Sequence, residues 1–227
     1  VFFRLAPALR GEGIMRVVFF DTESTGLIDK NPDAEIVEYA GATWDDGEVT
    51  GEFHRFVLPK NGCPDEAAKI NGFDEAKWRA ACARQFCGDD VVNLSQRLDG
   101  MMLGGSNPDF DKKMIRAECA RLKLAPPDWS YKHLDLGTFG LLLQLEGAIA
   151  NAKLETLADY FGIPHEKHTA MGDVKASIKV WEACHERFLR QPRIMKQALV
   201  EIADQAASDG DTELEEYARN ASEGIEG

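Results

Sequence analysis

Arg16-Val17-Val18-Phe19-Phe20-Asp21-Thr22-Glu23-Ser24-Thr25-Gly26-Leu27 is the stretch on which the reading of this chain turns. Val17 to Phe20 is a short continuous run of β-branched and aromatic residues, the pattern of a central strand buried on both faces. The run ends in two acids. Side chains at i and i+2 of a strand share a face, so Asp21 and Glu23 emerge side by side at the end of a buried strand. Two carboxylates in such a place are costly unless something cationic neutralises them. A turn is the plainer reading of Asp, Ser, Thr and Gly together, and this motif alone does not decide between the two.

Working outward, the segment 40–44, Asp45-Asp46-Gly47 and the segment 49–58 read as a β-hairpin, with Asp-Gly at the turn and Val49, Phe53 and Phe56 as strand formers. Three early strands predict an antiparallel meander. The chain then turns mostly helical. Pro64-Asp65-Glu66 reads as a helix start that ends near Asn71-Gly72. A second amphipathic segment spans 89–98. Met101-Met102-Leu103 is a candidate strand leading into Gly104-Gly105-Ser106-Asn107-Pro108. Met114, Ile115, Ala117 and Leu122 give 110–122 a helical period, and 133–136 reads as the end of a last strand. Helices are predicted over 154–161 and 170–189, followed by Pro192 and a polar helical tail. A meander followed by alternating helix and strand implies a mixed sheet covered by helices.

Length and charge bound the rest. The 227 residues suit one domain with a small helical appendage, and 44% apolar residues can build a core. No apolar run is long enough to span a bilayer. The leader 1–15 lacks the long apolar stretch and cleavage site of a targeting peptide and reads as a frayed extension. The five cysteines are odd in number and form no CxxC pair, which points to free thiols in a reducing cytoplasm. A net charge of -13 is awkward for a protein that binds phosphates. Much of it lies in residues 201–227, where nine Asp/Glu face only Arg219. Carboxylates gathered around divalent cations would also look acidic on paper and act as a cationic site.

Two further motifs carry candidate chemistry. Asn107-Pro108-Asp109-Phe110-Asp111 runs from a loop into a helix, where Asp111 alone would be an ordinary partner of the helix dipole. In His168-Thr169-Ala170-Met171-Gly172-Asp173, five positions on one helix would set the two side chains about 140° apart. They converge only if His168 lies in the preceding loop, which Gly162-Ile163-Pro164 makes plausible, and Asp173 in the first turn. A lone His168 would otherwise be a surface histidine.

Taken in order, these motifs resemble the DnaQ-like, or DEDDh, 3′→5′ exonuclease family of the ribonuclease H-like superfamily. The resemblance covers roughly residues 16–189. Ala67-Ala68-Lys69-Ile70-Asn71-Gly72-Phe73 is similar to the family's segment between its first two acidic motifs. The stretch from Leu154 to Ile163 is similar to the helix before its histidine motif. A sister class places Tyr, with three intervening residues, before the last Asp; here His168 with four selects the histidine class.

The resemblance implies a three-layer α/β/α fold on a five-stranded mixed sheet, formed by residues 16–190 between the leader 1–15 and the acidic helical tail 191–227. It implies that Asp21, Glu23, Asp111 and Asp173 hold two divalent cations. Hard oxygen ligands suit Mg²⁺ or Mn²⁺ rather than zinc. Asp21 would bridge the pair, Glu23 and Asp173 would complete the site that activates water, and Asp111 would serve the second cation. His168 would be the general base. Ser24, Thr25, Gly26, Leu27, Phe73 and Asn107 would grip the terminal nucleotide, with Leu27 wedged against its base. As isolated residues, Leu27 and Phe73 would more simply be core. Ser24, Asn71 and Ser106 depart from the family's usual Thr, His and His, which touches substrate contacts and leaves the five catalytic positions intact.

The expected substrate is the 3′ end of single-stranded or frayed DNA, as in proofreading or repair. RNA is the alternative, because discrimination by the 2′-OH is a matter of cleft shape. A non-catalytic nucleic-acid or polymerase-binding module is the reading from another class, and the intact set of five residues argues against it. The acidic tail reads as a solvated segment, with docking of a DNA polymerase as the alternative. Arg187, Arg190, Arg193 and Lys196 read as a solvent-facing charge run, with a phosphate backbone as the alternative partner.

Overall fold

The structure, a computed structural model, describes residues 16–81, 83–190, 196–197, 199–201, 203–204, 207 and 212–223. The leader, Cys82, Pro192 and Arg193 lie outside them. Strand β1 (Arg16–Ser24) is followed by β2 (Ile36–Asp45), β3 (Glu48–Phe56), helices α1 (Asp65–Asn71), α2 (Glu75–Ala80) and α3 (Gly88–Leu98), strand β4 (Met102–Gly105), α4 (Pro108–Leu122), β5 (His133–Asp135), α5 (Leu136–Leu145), α6 (Leu154–Phe161) and α7 (Ala170–Cys184). A π-helical turn (His185–Arg190) extends α7, and α8 spans Thr212–Glu223.

The five strands lie in the order β3-β2-β1-β4-β5. β1 runs antiparallel to β2 and parallel to β4, β2 antiparallel to β3, and β4 parallel to β5. This is the mixed sheet the sequence predicts, with the apolar run at its centre. Val17, Val18, Phe19 and Phe20 are all at most 2% exposed, so both faces of β1 are covered. Val18 and Phe20 share one core with Leu94 and Leu98 of α3 and with Met114, Ile115 and Cys119 of α4. Alternation puts Val17, Phe19, Asp21 and Glu23 on the opposite face. Gly104 of β4 packs there: a Cβ on it would lie 2.7 Å from Val17 Cγ1 and 3.1 Å from Phe19.

Asp46 and Gly47 make the β2–β3 turn with φ of 47° and 93°. Positive φ at both central residues is the turn twist a two-residue hairpin favours, and Asp-Gly supplies it. On the face of α3 and α4, Asp90 is buried, accepts a hydrogen bond from the Tyr39 hydroxyl at 2.9 Å and pairs with Arg55 at 2.9 Å, which fastens α3 to β2 and β3.

Elements differ from the sequence reading in three ways. Helix α2 was not expected; Asp74 caps it by accepting from Lys77 N at 3.0 Å. Helix α5 is likewise unpredicted: the strand expected over 133–136 is present as β5, but it stops at Asp135 and Leu136 already begins the helix. Its Gly137 and Gly140 weaken any helical signal from propensity, yet Gly140 is needed because a Cβ there would lie 2.7 Å from Ala152 Cβ. The predicted helix 170–189 ends as an α-helix at Cys184 and continues as a π turn. Hydrophobic period alone does not distinguish the two hydrogen-bonding patterns over one turn.

The chain divides into two compact units, Val1–Val180 and Trp181–Gly227. The first contains the sheet. In the second, Arg219 of α8 pairs with Glu215 at 3.0 Å and with Asp204 at 3.2 Å. Cys63, Cys87, Cys119 and Cys184 are free thiols. No helix among the described residues is long and apolar enough to cross a membrane.

Candidate active site

Asp21 and Glu23 leave the C-terminal end of β1 on one face, opposite Ala40 and Glu38 of β2. Thr22, between them, points to the other face and meets α4. Its backbone N–H and its hydroxyl both donate to Asp111 Oδ1, at 2.9 and 2.7 Å. Asp111 is 3% exposed and sits in the first turn of α4, where the helix dipole favours its charge. Pro108 opens that helix, and Asn107 precedes it with φ of 64°. The third contributor is α7. His168 lies just before it with φ of 59°, and Asp173 lies in its first turn, where its N–H bonds to Thr169 O at 2.9 Å. One ligand atom each from Glu23, His168 and Asp173 lies within 4.8 Å of the others.

The electrostatics of this gathering are unfavourable without a cation. Asp21 is pushed well above the usual carboxylate range by burial first, then by repulsion from Asp111, Asp173, Glu23 and Glu38. Burial, Asp173, Glu38 and Asp111 raise Glu23 to about 8. Burial raises Asp111 to about 7 against the opposing hydrogen bonds from Thr22. Burial also raises Asp173, opposed by its hydrogen bond from His165 and by both nearby histidines. Four carboxyl groups that repel one another in a half-dry pocket are a donor set fitted to divalent cations, which would neutralise them and favour their ionised forms. The hard oxygen donors match Mg²⁺ or Mn²⁺ better than a soft metal.

Ser24 ends β1, and Thr25, Gly26 and Leu27 continue directly from it. The Ser24 hydroxyl donates to Gly26 O at 2.8 Å, and Thr25 Oγ1 accepts from Glu35 N at 2.9 Å. A Cβ on Gly26 would meet nothing within 4 Å. Leu27 is 53% exposed, which removes the reading of it as core. Phe73 is half-buried and packs tilted against Trp78, with ring centroids 5.3 Å apart and planes at 57°. Asn107 N donates to Asp135 Oδ1 at 3.1 Å, the same atom that caps α5 through Gly137 N.

Sequence reasoning missed three polar residues here. Glu38 is 2% exposed and bonded to His54 Nε2 at 2.6 Å; its signal was an acid inside the apolar run Ile36–Ala42. His165 has a buried side chain whose Nε2 contacts Asp173 Oδ1. It lay beside the histidine motif but outside its spacing. Asn71, noted only as a departure, donates to Ser24 O at 2.9 Å and accepts from Phe73 N at 3.0 Å, tying the end of α1 to the end of β1.

This architecture is similar to known proteins. In solved structures of exonuclease I, one concerned with how processivity is achieved superposes with a TM-score of 0.65 at 21% identity, covering 83% of this chain and 46% of that one. A product-bound exonuclease I gives 0.63 at 22%, covering 84% and 47%. The chain is 26% identical over 165 residues to the DNA polymerase III PolC-type of Clostridium perfringens (strain 13 / Type A), a match spanning 72% of this chain and 11% of that protein. The chain thus spans under half of exonuclease I and about a tenth of the polymerase. The RNase T family model, described as Exonuclease, matches residues 18–181, which contain all five of the candidate catalytic residues. With Asp21 and Glu23 at the end of the central strand of its mixed sheet and Asp111, His168 and Asp173 brought in from α4 and the start of α7, the chain belongs to this exonuclease family.

Proposed function

We propose that the protein is a 3′→5′ exonuclease that hydrolyses the terminal phosphodiester of single-stranded or frayed DNA and releases nucleoside 5′-monophosphates. The observation that carries the reading is the meeting of Asp21, Glu23, Asp111, Asp173 and His168, from three separated segments, at one end of β1. Asp21 lies close enough to Glu23, Asp111 and Asp173 to be repelled by all three, and these four acids would together hold two divalent cations. Two divalent cations, Mg²⁺ or Mn²⁺, would supply neutralising charge, a more acidic attacking water and stabilisation of the leaving 3′-oxygen. His168, exposed at the mouth of the cluster, accepts the proton of that water on a ring nitrogen. Leu27, exposed beside the site, and Phe73 stack on the terminal bases. The backbone at Gly26, open on its Cα side, lets the nucleotide approach.

DNA is favoured by the likeness to a segment of a PolC-type DNA polymerase, which also supports a polymerase as partner. The deciding experiment uses 5′-labelled single-stranded DNA and RNA of equal sequence, with Mg²⁺, with Mn²⁺ and with chelator. The expected outcome is a metal-dependent ladder shortening from the 3′ end, faster on DNA. Preference for RNA would make the enzyme an exoribonuclease on the same site. Tight binding without cleavage of either strand would make it a binding module.

A further inference from the structure

We infer that His165 is a positioning residue of the metal centre, holding the carboxylate of Asp173 in place through its Nε2–H. The inference rests on the proposed role of Asp173 as a cation ligand. His165 belongs to the loop between α6 and α7, outside the spacing that joins His168 to Asp173. Pro164, Glu166, Lys167 and His168 around it are exposed, yet its own side chain is only 5% exposed. It is therefore turned inward from an outward loop, and what it meets is Asp173 Oδ1. A carboxylate can only accept, so Nε2 carries the hydrogen. The other ring nitrogen, Nδ1, is buried with no hydrogen-bond partner among the described residues. Burying an unpaired polar atom is unfavourable, so packing alone is a poor reason for a histidine here. The contact with Asp173 is the favourable interaction the ring makes.

The loop is fixed at both ends, which gives that contact a defined geometry. On entry, Gly162 closes α6 with φ of 67° and Ile163 N bonds to Ala158 O at 2.8 Å. On exit, the Thr169 hydroxyl donates to Glu166 O and accepts from Gly172 N, both at 3.2 Å. Asp173 is a short side chain that repels Asp21, Glu23 and Asp111, which favours its moving away from them before a cation arrives. An N–H donor on one oxygen opposes that swing. Hydrogen-bond partners of metal-ligating side chains typically matter by about 10–100-fold in metal affinity.

The test is Mn²⁺ binding to the full chain without nucleic acid, by titration calorimetry, with thermal melts to verify folding. His165→Leu fills the space without a donor and is expected to weaken Mn²⁺ about 10–100-fold. His165→Gln, whose amide nitrogen reaches the Nε2 position, should stay within a few-fold of wild type. In an Asp173→Asn background, His165→Leu should cost nothing more. Should His165→Leu not fold, His165→Asn, whose amide stops short of Nε2, takes its place against Gln. Wild-type affinity in the Leu variant, or equal losses in Leu and Gln, would overturn the inference and leave the metal site standing. A wild-type chain that binds no Mn²⁺ would sink both.

Discussion

Thr22 gives two hydrogen bonds to a single oxygen of Asp111, one from its backbone N–H at 2.9 Å and one from its hydroxyl at 2.7 Å. Through this pair the central strand and α4 meet at the site, and a nearly inaccessible carboxyl keeps donors that oppose the effect of its burial. Thr22→Val keeps the shape and removes the hydroxyl. Leaving a buried acceptor short of a partner costs about 1–3 kcal/mol. Denaturant unfolding should register that loss, together with slower metal-dependent cleavage; an unchanged midpoint would mean the hydroxyl bond contributes nothing.

Asp21 is repelled by four other acids, Asp111, Asp173, Glu23 and Glu38. Replacing it with Asn should abolish metal-dependent cleavage and raise the melting temperature of the metal-free protein, because a repelled, half-dry carboxyl becomes a neutral amide. Asp173→Ala should likewise abolish cleavage with the fold retained. Nuclease assays paired with calorimetric melts check both halves, and full activity in either variant would remove that residue from the site.

The raised acids also set a pH dependence. Glu23 at about 8 and Asp111 at about 7 bind protons more tightly folded than unfolded. Their stabilising contribution is complete below the ordinary carboxylate range and is lost as pH rises through about 7–8. With chelator present, the melting temperature should fall from pH 6 to pH 9. Saturating Mn²⁺ should flatten or reverse that slope, since a cation favours the ionised forms, and Glu23→Gln should flatten it without metal. A metal-free protein that gains stability over the same window would contradict this arrangement of charge.

His168 stands at the exposed mouth of the cluster, in ligand range of Glu23 and Asp173. As the general base, its replacement by Ala should lower kcat by roughly 10²–10⁴-fold while substrate affinity changes little. Single-turnover kinetics separate the two, and a loss confined to KM would assign His168 to binding instead.

Gly172 lies inside the first turn of α7 where a Cβ would run into the Glu166 carbonyl and the Thr169 hydroxyl. Gly172→Ala should therefore push the 166–169 segment outward, carrying His168 with it. Lower stability and a fall in kcat are expected together, whereas an inert substitution would show that the loop yields without cost.

The amino-acid sequence determined the central strand, because four consecutive buried apolar residues can hardly do anything but cross a covered sheet, and the i, i+2 spacing then sets Asp21 and Glu23 on one face. It determined the hairpin through Asp46-Gly47 and α4 through helical period. These are local properties, written in neighbouring residues. Helix α5 was hidden because its glycines lower propensity, and only packing against Ala152 makes one of them necessary. The tertiary structure alone decided that Glu38 faces the same pocket as Glu23, that Thr22 holds Asp111 across 89 positions of chain, and that His165 turns inward onto Asp173. Each of those relations depends on where separate segments meet in space, and hydrogen bonds between distant segments leave no period or spacing in the chain to read.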